Sequence, residues 1–88
     1  MRRRIGQEGN ASAALRNVSV SLDKLGDLRA AAGDRGNALE AYEESLAIAR
    51  ALAAKDPENT LWARDVSISL DKVGNMRAAA GDRAGALE

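Results

Sequence analysis

Apolar residues recur every three or four positions along most of the chain, which is the spacing of an amphipathic α-helix. The clearest example is the stretch that contains Leu15, Val18, Leu22, Leu25 and Leu28. It predicts a helix over about residues 11–32, with a buried stripe formed by Val18, Leu22 and Leu25. The same spacing continues beyond residue 34. Residues 18–21 (VSVS) alternate as a strand would, but they lie inside the helical pattern and are interpreted as helix.

Turn residues divide this pattern into separate helices. Gly33 is expected to end the first helix because glycine takes a positive φ without steric cost. Asp34 suits the N-cap of a second helix over 35–55. Asp56-Pro57 predicts the start of a third helix over 57–80, since proline is tolerated in the first helical position.

The chain contains an internal duplication. Residues 16–40 and 64–88 align without a gap at an offset of 48 residues, and 18 of the 25 aligned positions are identical. The duplication predicts an all-α fold of antiparallel helical hairpins: repeat 1 over 11–56 and a truncated repeat 2 over 57–88, with a fourth helix beginning at 83. The first ten residues are expected to form a flexible basic tail.

Composition limits the chemistry. The chain has no cysteine and no histidine, so it lacks the commonest metal ligand, the commonest general base and a thiolate nucleophile. We expect no enzyme activity, no metal and no cofactor. Thirteen basic and thirteen acidic residues balance, so no basic footprint for nucleic acid exists, and Arg2–Arg4 is interpreted as a solvated terminus.

No segment resembles a signal peptide or a span of about 20 apolar residues, so neither export nor membrane insertion is expected. The predicted compartment is the cytoplasm. Arginine outnumbers lysine and alanine is abundant, which suggests a GC-rich bacterial genome.

Several residues stand at the offsets of the tetratricopeptide repeat pattern: Leu22, Leu25, Gly26, Gly33, Ala38, Tyr42 and Ser45, with Leu70, Val73, Gly74, Gly81 and Ala86 in the second copy. The chain resembles this family in its long-period form, as in kinesin light chains and in bacterial arrays with a W-x-R-D-x-S-x-S-x-x-K-x-G signature. Here the signature is carried by Trp62, Arg64, Asp65, Ser67, Ser69, Lys72 and Gly74. Two departures are the period, 48 residues against about 34 in the family, and the arginines at 29 and 77, where the family has an aromatic.

The resemblance implies an α-solenoid scaffold that binds a partner peptide or helix in a concave groove. The groove candidates that it implies are Val20, Asp23, Lys24, Asp27, Ile68, Asp71, Lys72 and Asn75. Asp23 and Asp71 stand where the family's carboxylate clamp has lysine, so recognition of a C-terminal carboxylate is not expected. The alternative interpretation of these residues is a solvated helix face held by weak charge pairs.

Two other interpretations stay open at this point. Ser19, Ser21, Ser67 and Ser69 either bond back to carbonyls of the preceding turn or face a neighbouring helix. The stripe Val66, Leu70 and Val73 is predicted to face an uncovered end, which would make the chain self-associate. In that case the module would be purely structural, capping or spacing a larger assembly without a ligand of its own.

Overall fold

The computed structural model describes the backbone of residues 2–79 and the side chains of residues 11–79. Three helices fill this range: α1 (Arg2–Ala31), α2 (Arg35–Lys55) and α3 (Thr60–Ala79). The central helix, α2, packs against both others, and the described residues contain no strand, so the all-α fold class is confirmed. The fourth helix expected at 83 lies outside the described residues. No helix in the described range is long and apolar enough to cross a membrane.

The turn between α1 and α2 forms as the sequence predicts. Gly33 has a φ of 85°. Its N–H donates to the carbonyl of Ala30 and the next N–H, that of Asp34, donates to the carbonyl of Arg29, which is the hydrogen-bond pattern of a Schellman motif. Asp34 also caps α2, since its side chain accepts a hydrogen bond from the N–H of Asn37. Three residues therefore reverse the chain, and α2 runs antiparallel to α1.

The helix starts differ from the predictions. Helix α1 begins at Arg2, not at about residue 11, and so includes the segment expected to be a flexible tail. No proline interrupts the chain before Pro57, so nothing blocks the backbone hydrogen bonds of that segment.

Helix α3 begins at Thr60, three residues later than expected. Asp56 ends α2 instead of starting α3, because its N–H donates to the carbonyl of Leu52. Asn59 then caps α3 by accepting the N–H of Trp62 at 3.1 Å. Asparagine at this position satisfies a donor that the first helical turn leaves free.

The predicted buried stripe of α1 is wrong. Val18 is 48% exposed and Leu25 is 38% exposed, and Leu22 is only half-buried. The residues of α1 buried against α2 are small, chiefly Ser12, Ser19 and Gly26. Small side chains allow close approach of two helices, and the space at Gly26 is taken by the ring of Tyr42.

The apolar core lies mainly between α2 and α3. Tyr42, Leu46 and Val73 are its large members, with Val66 and Met76 packed around them. The prediction that Val66 and Val73 face an uncovered end is therefore wrong, and of that stripe only Leu70 is exposed. Burial of one such large side chain contributes roughly 1.5–3 kcal/mol.

One buried serine from each helix meets at the centre. The hydroxyl of Ser45 donates to the backbone carbonyl of Ser19 at 2.9 Å, and the two Oγ atoms lie 2.8 Å apart. Ser69 approaches Ser45 from the other side, with 3.5 Å between their Oγ atoms. These contacts satisfy polar groups that would otherwise destabilise a buried interface.

Candidate binding seam between α1 and α3

Two ion pairs connect α1 directly to α3. Arg16 Nε donates to Asp65 Oδ2 at 2.8 Å, and Lys72 Nζ donates to Asp27 Oδ1 at 2.9 Å. Asp23 lies between them along α1. We call these five side chains (Arg16, Asp23, Asp27, Asp65 and Lys72) the polar seam.

Tyr42 of α2 lies beneath the seam. Its hydroxyl donates to Asp27, and Lys72 Nζ lies 5.4 Å from the centre of its ring, which is within cation–π range. The hydrogen bond from Tyr42 and the nearby ammonium of Lys72 lower the pKa of Asp27. Burial and the neighbouring carboxylate raise the pKa of Tyr42, so the hydroxyl keeps its proton and remains a donor.

Asp23 is the least satisfied member of the seam. Its Oδ1 is buried and has no hydrogen-bond partner among the described residues. Burial raises the pKa of this carboxyl, although Ser45 and Lys72 offset part of the effect. A buried acceptor without a donor costs free energy, so the charged form of Asp23 destabilises the seam.

Of the eight groove candidates, the structure brings three together: Asp23, Asp27 and Lys72. Val20 is half-buried on α1. The other four are exposed on α1 or α3: Lys24, Ile68, Asp71 and Asn75.

Sequence reasoning missed Arg16 and Tyr42 as parts of this site, and it gave Asp65 no role beyond the signature. A signal was present. Residues about one repeat period apart lie side by side on parallel helices, and the two seam pairs are separated by 49 and 45 residues. Opposite charges at a separation near 48 residues therefore indicate contacts between repeats.

A second concave region lies between α2 and α3. It is a cleft of about 320 Å³ lined by Glu43, Leu46, Ala47, Arg50, Leu70, Val73 and Arg77. Arg77 donates to Glu43 across its rim at 3.0 Å. The cleft and the seam lie on different faces of α3, since the cleft uses Leu70, Val73 and Arg77 and the seam uses Asp65 and Lys72.

The seam offers charge and hydrogen bonding. Within the range 11–79, no group of acidic side chains is arranged to hold a metal ion. The buried residues Ser19, Ser45 and Ser69 contact one another, and Ser19 and Ser45 also hydrogen-bond to the backbone. Compared with models of protein families, with curated protein sequences and with solved structures, the chain gives no match.

Proposed function

We propose that this chain is a protein-interaction module that binds a partner peptide or helix along the polar seam. The observation that carries the proposal is the partly exposed ion pair of Asp27 and Lys72, which lies close to the exposed Lys24 and Asp71. A basic side chain of a partner would pair with Asp27, and an acidic one would pair with Lys72.

The charges around Asp23 define the partner. Lys24 and Asp71 are exposed, and the Asp27–Lys72 pair is solvated enough to exchange partners, with side chains 54% and 28% exposed. Exposed pairs of this kind contribute little to stability. A peptide with a basic group for Asp27 and an acidic group for Lys24 or Lys72 fits this arrangement.

The family behind this proposal is the tetratricopeptide repeat family. The support is the 48-residue duplication, the antiparallel α1–α2 hairpin and the close approach of Gly26 and Tyr42. We infer a non-catalytic scaffold in a bacterial cytoplasm, without cofactor. Because Asp23 and Asp71 replace basic residues of the carboxylate clamp, the ligand we propose is an internal segment of a partner.

A random-peptide phage library tests the proposal. The immobilised 88-residue protein should enrich peptides that carry both a basic and an acidic residue. The Lys24→Glu variant should select a different set, since Lys24 is exposed and its replacement leaves the core intact. Lys55→Glu is the matched control, because Lys55 is exposed at the far end of α2. Failure to enrich any peptide, or identical sets from wild type and Lys24→Glu, contradicts the proposal.

A second candidate is a purely structural unit that self-associates. It is favoured by the exposed apolar side chains of α1, namely Leu15, Val18, Leu25 and Leu28, since a contiguous apolar surface marks an association site. Sedimentation velocity over a range of micromolar concentrations tests it. A dimer that Leu28→Glu dissociates supports this candidate, whereas a monomer throughout rules it out.

A further inference from the structure

The ammonium of Lys72 lies among groups that recognise a cation. Its Nζ is 2.9 Å from Asp27 Oδ1 and 3.1 Å from Asp27 Oδ2, so it contacts both carboxylate oxygens. It also lies 5.4 Å from the centre of the Tyr42 ring, and an aromatic face attracts a cation at this distance. A carboxylate beside an aromatic face suits any ammonium or guanidinium group. We call Asp27 and the Tyr42 ring the cation site.

The cation site is held in place from the side of the core. The ring of Tyr42 packs against Gly26, and its hydroxyl donates to Asp27. This hydrogen bond favours the charged carboxylate and lowers the pKa of Asp27. Neither contact involves Lys72, so the site is oriented and charged at neutral pH even when the lysine leaves it.

Lys72 is a replaceable occupant of the site. It reaches Asp27 of α1 from α3 by a flexible aliphatic chain, and an ion pair of this exposure contributes little to stability. Of the two carboxylates paired across the seam, Asp27 is the more open, with 54% of its side chain exposed against 19% for Asp65. A cation from solvent can therefore reach Asp27 and displace the lysine at low cost.

The site belongs to this junction and not to the repeat as such. Asp27 and Lys72 come from different copies of the repeat, and their counterparts one period away are Asn75 and Lys24. Asparagine carries no charge, so these counterparts cannot form the same pair. Both are exposed. Among the described residues, the combination of carboxylate, aromatic ring and resident ammonium is therefore formed once.

We propose that the cation site binds a lysine or arginine side chain of the partner, and that Lys72 occupies it in the free protein as an internal competitor. This inference rests on the proposed function and adds an order of events to it. The partner's cation displaces Lys72, and the released ammonium then pairs with an acidic side chain of the same partner. Lys72 lowers the apparent affinity, because only molecules in which it has left the site can bind the partner's cation.

n-Propylammonium is the probe, because it supplies the part of the lysine side chain that Lys72→Ala removes. It is titrated into isotope-labelled 88-residue protein at constant ionic strength, and the NMR shifts of the Asp27 and Tyr42 amides report binding. Lys72→Ala should bind it saturably in the millimolar range. Wild type should need about fivefold more, the upper range for an exposed ion pair that has to be displaced. The variant should fold, since Lys72 is partly exposed and alanine favours helix, and a thermal melt checks this.

Three controls separate the cation site from general effects of charge. Adding Asp27→Asn to Lys72→Ala should abolish the saturable shifts, because the carboxylate is gone. Lys55→Ala also removes one positive charge, but at the exposed far end of α2, and should titrate like wild type. n-Propanol should give Lys72→Ala no saturable shift, because it has the alkyl chain without the charge.

Equal half-saturation in wild type and Lys72→Ala would overturn the competition by Lys72. The site itself is overturned by shifts that persist with Asp27→Asn, by equal shifts with n-propanol, or by the absence of saturable shifts in Lys72→Ala. The titration uses no peptide, so its failure is distinct from failure of the peptide selection that tests the proposed function. Peptide enrichment together with a failed titration would retain the binding module and remove the cation site.

Discussion

The second half of helix α1 and most of helix α3 are copies of one sequence, with 11 of 16 residues identical between 16–31 and 64–79, but the two helices pack on α2 in different ways. Helix α1 contacts α2 through small side chains, with Ser19 and Gly26 at the centre of the contact. Helix α3 contacts it through larger ones, with Val73 buried and Val66 and Met76 packed around it. Residues at the same position of the two copies therefore lie in different environments, and one position of the repeat has two structural roles.

The Ser-x-Ser motif shows how one sequence serves both roles. Two residues advance a helix by about 200°, so the serines of each motif point to opposite sides. In α1 the first serine, Ser19, is buried against α2; in α3 the second one, Ser69, is buried. The remaining two, Ser21 and Ser67, are exposed. The motif therefore suits a helix that packs against another helix on either of two opposite sides.

The largest difference between α1 and α3 is expected when a methyl group is added to each of the two corresponding glycines, Gly26 and Gly74. Gly26→Ala should destabilise the fold by about 2 kcal/mol, because the buried Tyr42 ring, held by its hydrogen bond to Asp27, has to move. Gly74→Ala should stabilise it by about 0.5–1 kcal/mol, the ordinary gain in helix propensity. Urea denaturation followed by circular dichroism measures both.

The two glycines control for each other, since their helix-propensity gain is the same. Equal effects of Gly26→Ala and Gly74→Ala on stability would mean that the Tyr42 ring does not pack tightly against Gly26. Combining Gly26→Ala with Tyr42→Leu should restore part of the loss if the ring is the obstacle.

The next effect is a crosswise pattern among the four serines. Ser19→Val and Ser69→Val should each cost about 1–2 kcal/mol, because both positions are buried and the added methyl overpacks the contact with Ser45. Ser21→Val and Ser67→Val should stay within about 0.5 kcal/mol of wild type. Serine and valine have similar helix propensities, so propensity does not affect the comparison among the four variants.

The melting temperatures of the four Ser→Val variants, compared with that of the wild type, measure these effects. A result in which the first serine of both motifs matters, or the second of both, would show that α1 and α3 pack alike and would contradict the comparison.

The sequence specifies the helices far better than their faces. The all-α fold class and the Gly33-Asp34 turn follow from local rules of spacing and capping, and both predictions were correct. The buried side of α1 was not, because apolar spacing selects Val18 and Leu25, whereas the contact with Tyr42 requires glycine and serine. Apolar periodicity identifies a helix, but the side that a partner covers depends on which neighbours are present.

The polar seam was predicted only in part for a related reason. Asp23, Asp27 and Lys72 were among the groove candidates that the resemblance implied. Arg16 and Asp65 pair across two helices that are distant in sequence, so no local pattern links them. The repeat period does link them, because Arg16 and Asp65 are 49 residues apart, which is close to the period of 48 residues.

A smaller effect concerns Asp27, whose counterpart in α3 is Asn75. The folded state lowers the pKa of Asp27, so its contribution to stability is present above the unfolded value of about 3.9 and is lost as the pH falls through the folded value. Asp27→Asn should therefore lower the free energy of unfolding at pH 7 by less than about 1 kcal/mol, since the carboxylate is half-exposed. The difference from wild type should vanish in strong acid.

Denaturation curves at several pH values between 2 and 7, a range set by the carboxylate pKa, would reveal this dependence. Asn75→Asp is the control, because Asn75 is exposed and its replacement should give no matching dependence. A loss in Asp27→Asn that is the same at every pH would assign the effect to packing of Tyr42 and not to the charge.

The smallest effect, and the one of opposite sign, is expected at Asp23. Burial raises the pKa of this carboxyl, so the folded state disfavours its charged form at neutral pH and the penalty disappears as the pH falls below the unfolded value. Asp23→Asn should accordingly stabilise the protein at pH 7 by about 0.5 kcal/mol. This value is the desolvation cost of a buried oxygen, reduced because the side chain is partly exposed. Near pH 3, below the unfolded pKa, the substitution should give no gain. The same change at its counterpart Asp71, which is exposed, should have no effect at either pH. If Asp23→Asn instead destabilises the protein at pH 7, hydrogen bonding to the charged carboxylate outweighs its desolvation, and burial is not the dominant effect at this residue.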